Sequence, residues 1–472
     1  MLDPTIASRV QFAVTTFVHI IFPTISMGLA PFLVYFTWKE ITTDEPIYVD
    51  LRSFWAKIFG ITFVAGTVTG IVLEFEFGMN FAAFSAFVGE VLGGPLAVEG
   101  MMAFFLESTF LGIFIFGRER VSDRLYFLSA VLVALGSWLS AVWILIANAW
   151  MQTPQGYDVV TEGGQRVVEL TDPLAAYANP RFPWMFVHMQ SSAVLSASLF
   201  LAGIAGFYLW MGRDSDFWRK TLKVAIVLMI ITAPFQVLHG DSYTRHVEDT
   251  QPAKFAAMEA QYETETGAAL HLIAIPTSLE SFTNPRAQNL WTLDVPNLAS
   301  LLASGGDLDA RIRGLNEISN TEPWRGAGTP PVAFVFWSFR LMVLLGLWFV
   351  VLAFWAGYRW YRGTLFESTR LHQALALSTP LGVLAVEVGW MVAEIGRQPW
   401  IVQEVMTVSE GRSPGLTGGE ATLTLAGFVG GYLLMLTLWI YVVRRMIRNA
   451  PDGHPPKTEG DRSGVVPVIG DD

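Results

Sequence analysis

What most constrains this chain is a recurrence. Apolar runs of about 20 residues, the length needed to cross the roughly 30 Å hydrocarbon layer of a bilayer, return along most of the sequence. Nine can be drawn, at roughly 15–37, 54–77, 95–116, 127–148, 184–210, 219–238, 332–356, 372–394 and 424–443. Soluble domains carry about 25% charged residues; here only 15% of 472 residues are charged, and 52% are hydrophobic. The pattern predicts an all-α, polytopic membrane bundle of about nine transmembrane helices. The opening MLDPTIASRVQF has no basic n-region, and no small-residue cleavage site follows the first run, so that run reads as a retained span.

Basic residues gather in alternate connections: Lys39, Arg52 and Lys57; Arg118, Arg120 and Arg124; Arg213, Arg219 and Lys220; Arg359, Arg362 and Arg370; Arg444, Arg445 and Arg448. Lys and Arg concentrate on the cytoplasmic side, which places the N-terminus outside and the C-terminus inside. Four segments follow: helices one to six in 1–239, an extracytoplasmic loop in 240–331, helices seven to nine in 332–449, and a tail in 450–472. The tail, rich in Pro, Gly and charge, reads as disordered and cytoplasmic. The loop is too long for a mere connector, and such loops tend to be functional; its stretch PAKFAAMEAQYETE reads as an amphipathic helix.

The absence of cysteine excludes disulfides, thiolate metal sites, iron–sulfur clusters and covalent c-type haem. The net charge is −11 and the basic residues form no stripe, so no nucleic-acid partner is expected.

Ionisable side chains inside a span cost at least about 2.5–3.5 kcal/mol on insertion scales and therefore mark sites. They are His19; Glu74 and Glu76; Glu99 and Glu107; His188; Arg340; Glu387 and Glu394. With a rise of about 1.5 Å per residue, His19, Glu99 and His188 fall about one turn below the outer face, Glu394 closes its span on that side, and Met342 lies two to three turns in. Imidazole, thioether and carboxylate at similar depth suit haem iron, and a His/Met pair makes a six-coordinate electron-transfer haem. Alone, each has a plainer reading: a lone membrane histidine is more often interhelical glue, and a lone methionine is packing. Glu107 falls near mid-membrane, where an unpaired carboxylate holds its proton; it reads as a proton relay, extended by Ser108 and Ser140, or as an interhelical hydrogen bond. With seven histidines, several of them outside the spans, the chain is too poor in imidazole for a haem–copper oxidase or a bis-histidine cytochrome b. Gly66 and Gly70 form a G-x-x-x-G, which signals close approach of another helix or of a flat macrocycle.

The run GWMVAEIGRQPWIVQEV, Gly389 to Val405, resembles the signature of the cytochrome bd oxidase large subunit, in which G-R-Q-P-W is close to diagnostic. Supporting stretches span nearly the whole chain: FVHIIFP around His19, GIVLEFEFG around Glu74, GPLAVEGMMAFFLES around Glu99 and Glu107, NAWMQTPQG after Asn148, FPWMFVHM around His188 and FWSFRLMV around Met342.

The resemblance implies a quinol:oxygen oxidoreductase of the bacterial cytoplasmic membrane with three non-covalent haems, two haem b and one haem d, the last replaced by haem b in some relatives. His188 and Met342 would ligate the low-spin haem b, with Arg340 beside it. His19 and Glu394 would ligate the two high-spin haems, in either assignment, with Arg397 of the signature motif also holding cofactor. Glu99 would be the carboxylate beside the oxygen-reducing haem, and Trp390 a conduit between haems. The outer loop would be the quinol loop, with Gln251, Lys254 and Glu259 as quinol-binding and proton-accepting residues; without the resemblance these three read as an ordinary solvated helix face. The loop lacks a large insertion, like the short-loop branch that includes cyanide-insensitive oxidases. Expected partners are a second large membrane subunit (subunit II), a small single-helix subunit, quinol, oxygen and lipid.

In this reading quinol releases protons outside while oxygen reduction draws them from the cytoplasm, so charge separates without a pump. A proton-coupled transporter would explain buried carboxylates but not a His/Met pair, and transporters tend to show two related halves, which this sequence lacks. A non-catalytic scaffold predicts no buried charge.

Overall fold

A computed structural model describes residues 2–43, 45–277 and 288–451, without the side chains of 102–104 and 107. The expected tail lies outside the described residues from position 452 onward.

Eight helices among the described residues are long and apolar enough to cross a membrane. The first, α1 (Pro4–Thr42), starts where the Asp3 carboxylate accepts from the amides of Thr5 and Ile6 and Pro4 fills the first turn, satisfying donors that a helix start leaves unpaired. It is followed by α2 (Ile47–Met79). The third expected span is broken: α3 (Gly89–Val98) passes through a π-helical turn at Glu99–Ala103 into α4 (Phe104–Phe116). Gly93, Gly94, Pro95 and Gly100 weaken the regular ladder there, because glycine adds backbone freedom and proline removes a donor. Then come α5 (Asp123–Gln152), capped by the Ser122 hydroxyl, and an outer ribbon of β1 (Tyr157–Glu162) and β2 (Gln165–Leu170). Next are α6 (Phe182–Trp210) and α7 (Asp216–Thr250). The sixth crossing helix thus continues well past residue 239 and enters the loop as a rod.

The loop opens with α8 (Pro252–Glu259) and carries two antiparallel ribbons, β3 (Glu265–Thr266) with β6 (Arg311–Ile312) and β4 (Leu270–Pro276) with β5 (Asn289–Val295). Residues Ala253 to Glu259 of α8 are all buried, so the expected amphipathic helix has no solvated face in this segment. The chain re-enters with α9 (Val332–Tyr361), turns back through α10 (Thr369–Ser378) and α11 (Leu381–Ile395), and ends with α12 (Gly418–Arg448), which starts with a Thr417/Glu420 capping box.

Helices α6, α7, α9 and α11 pack in a closed ring, each against the next, while α1 packs on α2, α5, α6 and α11. The α1–α6 crossing needs glycine: a Cβ at Gly28 would sit 2.0 Å from the Ala193 carbonyl oxygen. The span containing α6 is the most enclosed, with 83% of its apolar window buried against 11% for α12. Centre and periphery follow from that contrast: α12 touches α1 and α2 and turns its remaining apolar surface outward.

Candidate functional site

His19, on α1, faces α2, where its Nδ1 lies 2.8 Å from the Thr69 hydroxyl. Thr69 in turn reaches the carbonyls of Ala65 and Gly66. A partner on one imidazole nitrogen fixes the ring and presents the other, the usual arrangement of a histidine that ligates metal. Opposite the ring is Gly70, where a Cβ would come 3.3 Å from His19 Cε1.

The ring of four helices holds His188 and Met342. His188, on α6, meets three residues of α7: Gln236 Nε2 lies 3.0 Å from its Nε2, His239 Nδ1 lies 3.4 Å from its Nδ1, and Tyr243 packs at 5.6 Å between ring centroids. The Ser191 hydroxyl holds the Gln236 amide oxygen. Met342, on α9, points at α11, where a Cβ on Gly389 would be 3.0 Å from its sulfur. At Gly240 a Cβ would stand 3.3 Å from His188 Cε1. Each of these three soft or imidazole donors therefore packs directly against a glycine, at a place where a larger side chain would collide with it.

Glu394 ends α11 in a polar web. Its Oε1 accepts from Asn148 Nδ2 at 3.0 Å and Gln152 Nε2 at 3.1 Å, both on α5, and its Oε2 pairs with Arg397 Nη2 at 2.5 Å. Lys254, from α8, donates to Gln152 Oε1 and, at 2.7 Å, to Gln251 Oε1; Gln251 donates to Gln403 at 3.1 Å. Burial, aided by the cations of Arg181 and Arg397 and opposed by Glu394, holds the Lys254 amine well below the ordinary lysine value. Burial also lowers Arg397, against the pull of Glu394. Among the described residues, Arg397 Nε and Nη1 and Arg181 Nε are buried without hydrogen-bond partners. Three cations thus surround one carboxylate, with donors to spare for an anion.

Four of the five residues of the G-R-Q-P-W motif have a visible task here. A Cβ at Gly396 would meet Lys254 Cγ at 2.9 Å; Arg397 holds Glu394; Gln398 accepts from Arg9 Nη2 at 2.7 Å; and Trp400 packs edge-on against Trp324.

The other expected residues divide. Glu259 and Arg340 meet in a buried pair at 2.6 Å, and Arg340 Nε also donates to the His271 carbonyl at 2.8 Å, so the loop is tied to α9. Glu259 and Lys254 lie on one short helix yet reach different partners, Arg340 and the Glu394 web. Ser140 donates to Glu99 Oε1 at 2.9 Å, at the start of the π turn. Ser108 bonds the Phe105 carbonyl, the ordinary habit of a helical serine. Glu107 sits on α4 with its side chain outside the described residues. Trp390 packs against the buried cluster that includes Met27, Leu145 and Met185, as Phe186, Met189 and Tyr243 also do.

The model of the family described as "Cytochrome bd terminal oxidase subunit I" matches residues 7–451. This chain belongs to that family. It is 32% identical to cytochrome bd-II ubiquinol oxidase subunit 1 of Escherichia coli (strain K12), over 96% of this chain and 98% of that one. It is 31% identical to cytochrome bd ubiquinol oxidase subunit 1 of Bacillus subtilis (strain 168), over 100% and 97%. Its fold superposes on the bd oxidase of Geobacillus thermodenitrificans with a TM-score of 0.83 at 30% identity, covering 95% of this chain and 99% of that one. Membership makes the chain a membrane-embedded subunit of a terminal quinol oxidase, an oxidoreductase of a family that carries haem.

Donors of this bd subunit that sequence reasoning missed are Asn148, Gln152, Arg181, Gln236 and His239. Asn148 and Gln152 had a signal, two amides one helical turn apart at the end of an apolar run, inside a stretch already singled out.

Proposed function

We propose that this chain is the haem-bearing large subunit of a bd-type terminal oxidase, oxidising quinol at its outer face and reducing oxygen to water with cytoplasmic protons. One observation carries the reading: His19, His188 and Met342 each face a glycine, beside a buried web whose cations outnumber its carboxylates. Haem iron takes imidazole and thioether donors, and the anionic propionates of a porphyrin need buried cations. The residues fit the group.

His188 and Met342 would hold the low-spin haem b, with Gln236 and His239 orienting the imidazole. His19 and Glu394 would hold the two high-spin haems, and Arg397, Lys254 and Arg181 would receive carboxylates. The haems, when bound, supply electron transfer and oxygen chemistry that no side chain provides. The protein does the rest. Glu259, charge-paired with Arg340, is placed to accept protons from quinol at the loop, and Gln251 fixes the amide through which the loop grips Lys254. Glu99 with Ser140, and Glu107 along α4, form the inner proton approach. Because protons leave outside and enter from inside, each turnover moves charge across the bilayer, at about 2.3 kcal/mol per charge per 100 mV. The second subunit, and the small single-helix subunit expected beside it, would cover apolar surface such as that of α12.

The test is a reduced-minus-oxidised absorption spectrum of the purified complex, wild type and His188→Ala. The reading expects haem bands in the first and loss of the low-spin band in the second. Absence of bands in the wild type ends it.

A further inference from the structure

Three carboxyls inside the spans have no task in this account: Glu74 is exposed, Glu76 accepts from the Thr15 hydroxyl, and Glu387 is the buried one left over. Glu387 lies on α11 with 3% of its surface exposed, and its Oε1 is buried without a hydrogen-bond partner among the described residues. Interhelical glue would show a partner, as Glu394 and Glu99 do. A carboxyl placed at this depth without one costs stability, and such groups are kept for function.

Its position follows from helical register. Glu387 and Glu394 are seven residues apart on one continuous helix, so they share a face, about 10 Å apart along the axis. Two hydrogen-bonded anchors set the neighbouring levels. The indole of Trp138 on α5 donates to the Met27 carbonyl on α1 at 3.1 Å. Since these helices run antiparallel, His19 stands level with about position 146 of α5. Gln152 and Asn148 of α5 reach Ala393 and Glu394 of α11, and these helices run parallel, so Glu387 stands level with about positions 143–144. Glu387 is therefore two to three residues, about 4 Å, inward of His19 and about one turn outward of Ser140, which holds Glu99.

We infer that Glu387 is a proton-delivering residue of the oxygen-reducing site, the step between the Glu99–Ser140 pair and the space flanked by His19 and Glu394. The inference rests on the haem-bearing reading above. Reducing one dioxygen to two waters takes four electrons, from two quinols, and four protons. Glu387 supplies those protons one at a time: its O–H bond breaks, the proton passes to reduced oxygen, and the carboxylate left behind takes a proton from Glu99 by way of the Ser140 hydroxyl.

The experiment compares the whole complex carrying Glu387→Gln, Glu387→Asp or neither. A glutamine keeps the shape but gives up no carboxyl proton. Loss of a positioned proton donor lowers rate by about a hundredfold or more, and that fall in oxygen uptake per haem is expected for Glu387→Gln. The rate at which quinol reduces the low-spin haem should be unchanged, and a carboxylic C=O band should vanish from the reduced-minus-oxidised infrared spectrum. Glu387→Asp should restore both uptake and band in part. Wild-type uptake per haem in Glu387→Gln, or a band that persists, overturns the inference. So does a fall in uptake fully explained by lost pigment, which marks a packing residue. If the wild type itself shows no haem bands, the underlying reading has failed; if it does and Glu387→Gln is indifferent, only the role of Glu387 has.

Discussion

Two buried ionic clusters, at opposite ends of the bundle, differ in a way that separates architecture from site. At the end bearing the 38–57 connection, Glu40 is clamped between Arg52 Nε at 2.7 Å and Arg118 Nε at 2.5 Å, and Arg118 also meets Asp123 at 2.8 Å. Both guanidiniums lie over the Tyr126 ring, at 5.5 and 5.2 Å. Two cations meet two carboxylates, and the cluster is closed. At the other end Glu394 faces Arg397, Lys254 and Arg181, and three guanidinium nitrogens lack partners among the described residues. A balanced cluster joins helices; an unbalanced one, more deeply buried and so kept at a higher desolvation cost, is shaped to receive charge.

That contrast can be broken from either side. The largest effect is expected for Glu394→Gln, which strips the open cluster of its carboxylate. Uncompensated buried charge costs about 3–5 kcal/mol, so oxygen uptake should fall at least a hundredfold and one high-spin band should be lost from the absorption spectrum. Glu40→Gln should lower stability by about 3 kcal/mol, the low end because Arg118 is a third exposed. Its thermal midpoint in detergent should drop while the pigment spectrum stays intact; altered haem bands would count against a purely architectural role. Arg397→Met removes one charge-assisted anion contact, each worth about 1.5–3 kcal/mol, and should weaken haem retention about ten- to a hundredfold as read by pigment lost on dilution.

The smallest effect is a pH dependence. Between the lowered value of Lys254 and the ordinary lysine value, the unfolded chain binds a proton that the folded protein does not. Stability of pigment-free protein should therefore rise with pH across that window, by at most about 1.4 kcal/mol per pH unit. Lys254→Met should flatten the slope, and equal slopes in both proteins would show that Lys254 is not its source. Seating of an anionic cofactor should also remove it, since a nearby negative charge favours the ammonium.

The crossing helices were legible because the bilayer's demand for apolar length overrides local propensity; Pro23 and Pro31 lie inside α1 without ending it. The break at Glu99–Ala103 was not read, although the Gly-Gly-Pro before it and Gly100 within it signalled a weak ladder. The candidate ligands were legible one at a time, as costly side chains at a shared depth. Their glycine counterparts at 70, 240 and 389 are a property of helix pairing, and only the Gly66/Gly70 repeat hinted at it. The loop was harder still: Lys254 and Glu259 look like surface charges, yet the alanines at 253, 256, 257 and 260 let α8 sink until both are buried. Glu40 and Arg181 sit near span ends, where charge is ordinary and pairing cannot be read from one strand of sequence.

The uninterrupted run of α7 into the loop has a mechanical consequence. The same stiff cylinder that braces the imidazole of His188 through Gln236 and His239 ends at Gln251, which steadies Lys254 and anchors to Gln403. On the proposed assignment, a guest molecule that nudges the outer segment would tug on the low-spin haem pocket, so arrival of fuel at the surface and readiness inside would be geared to one shaft.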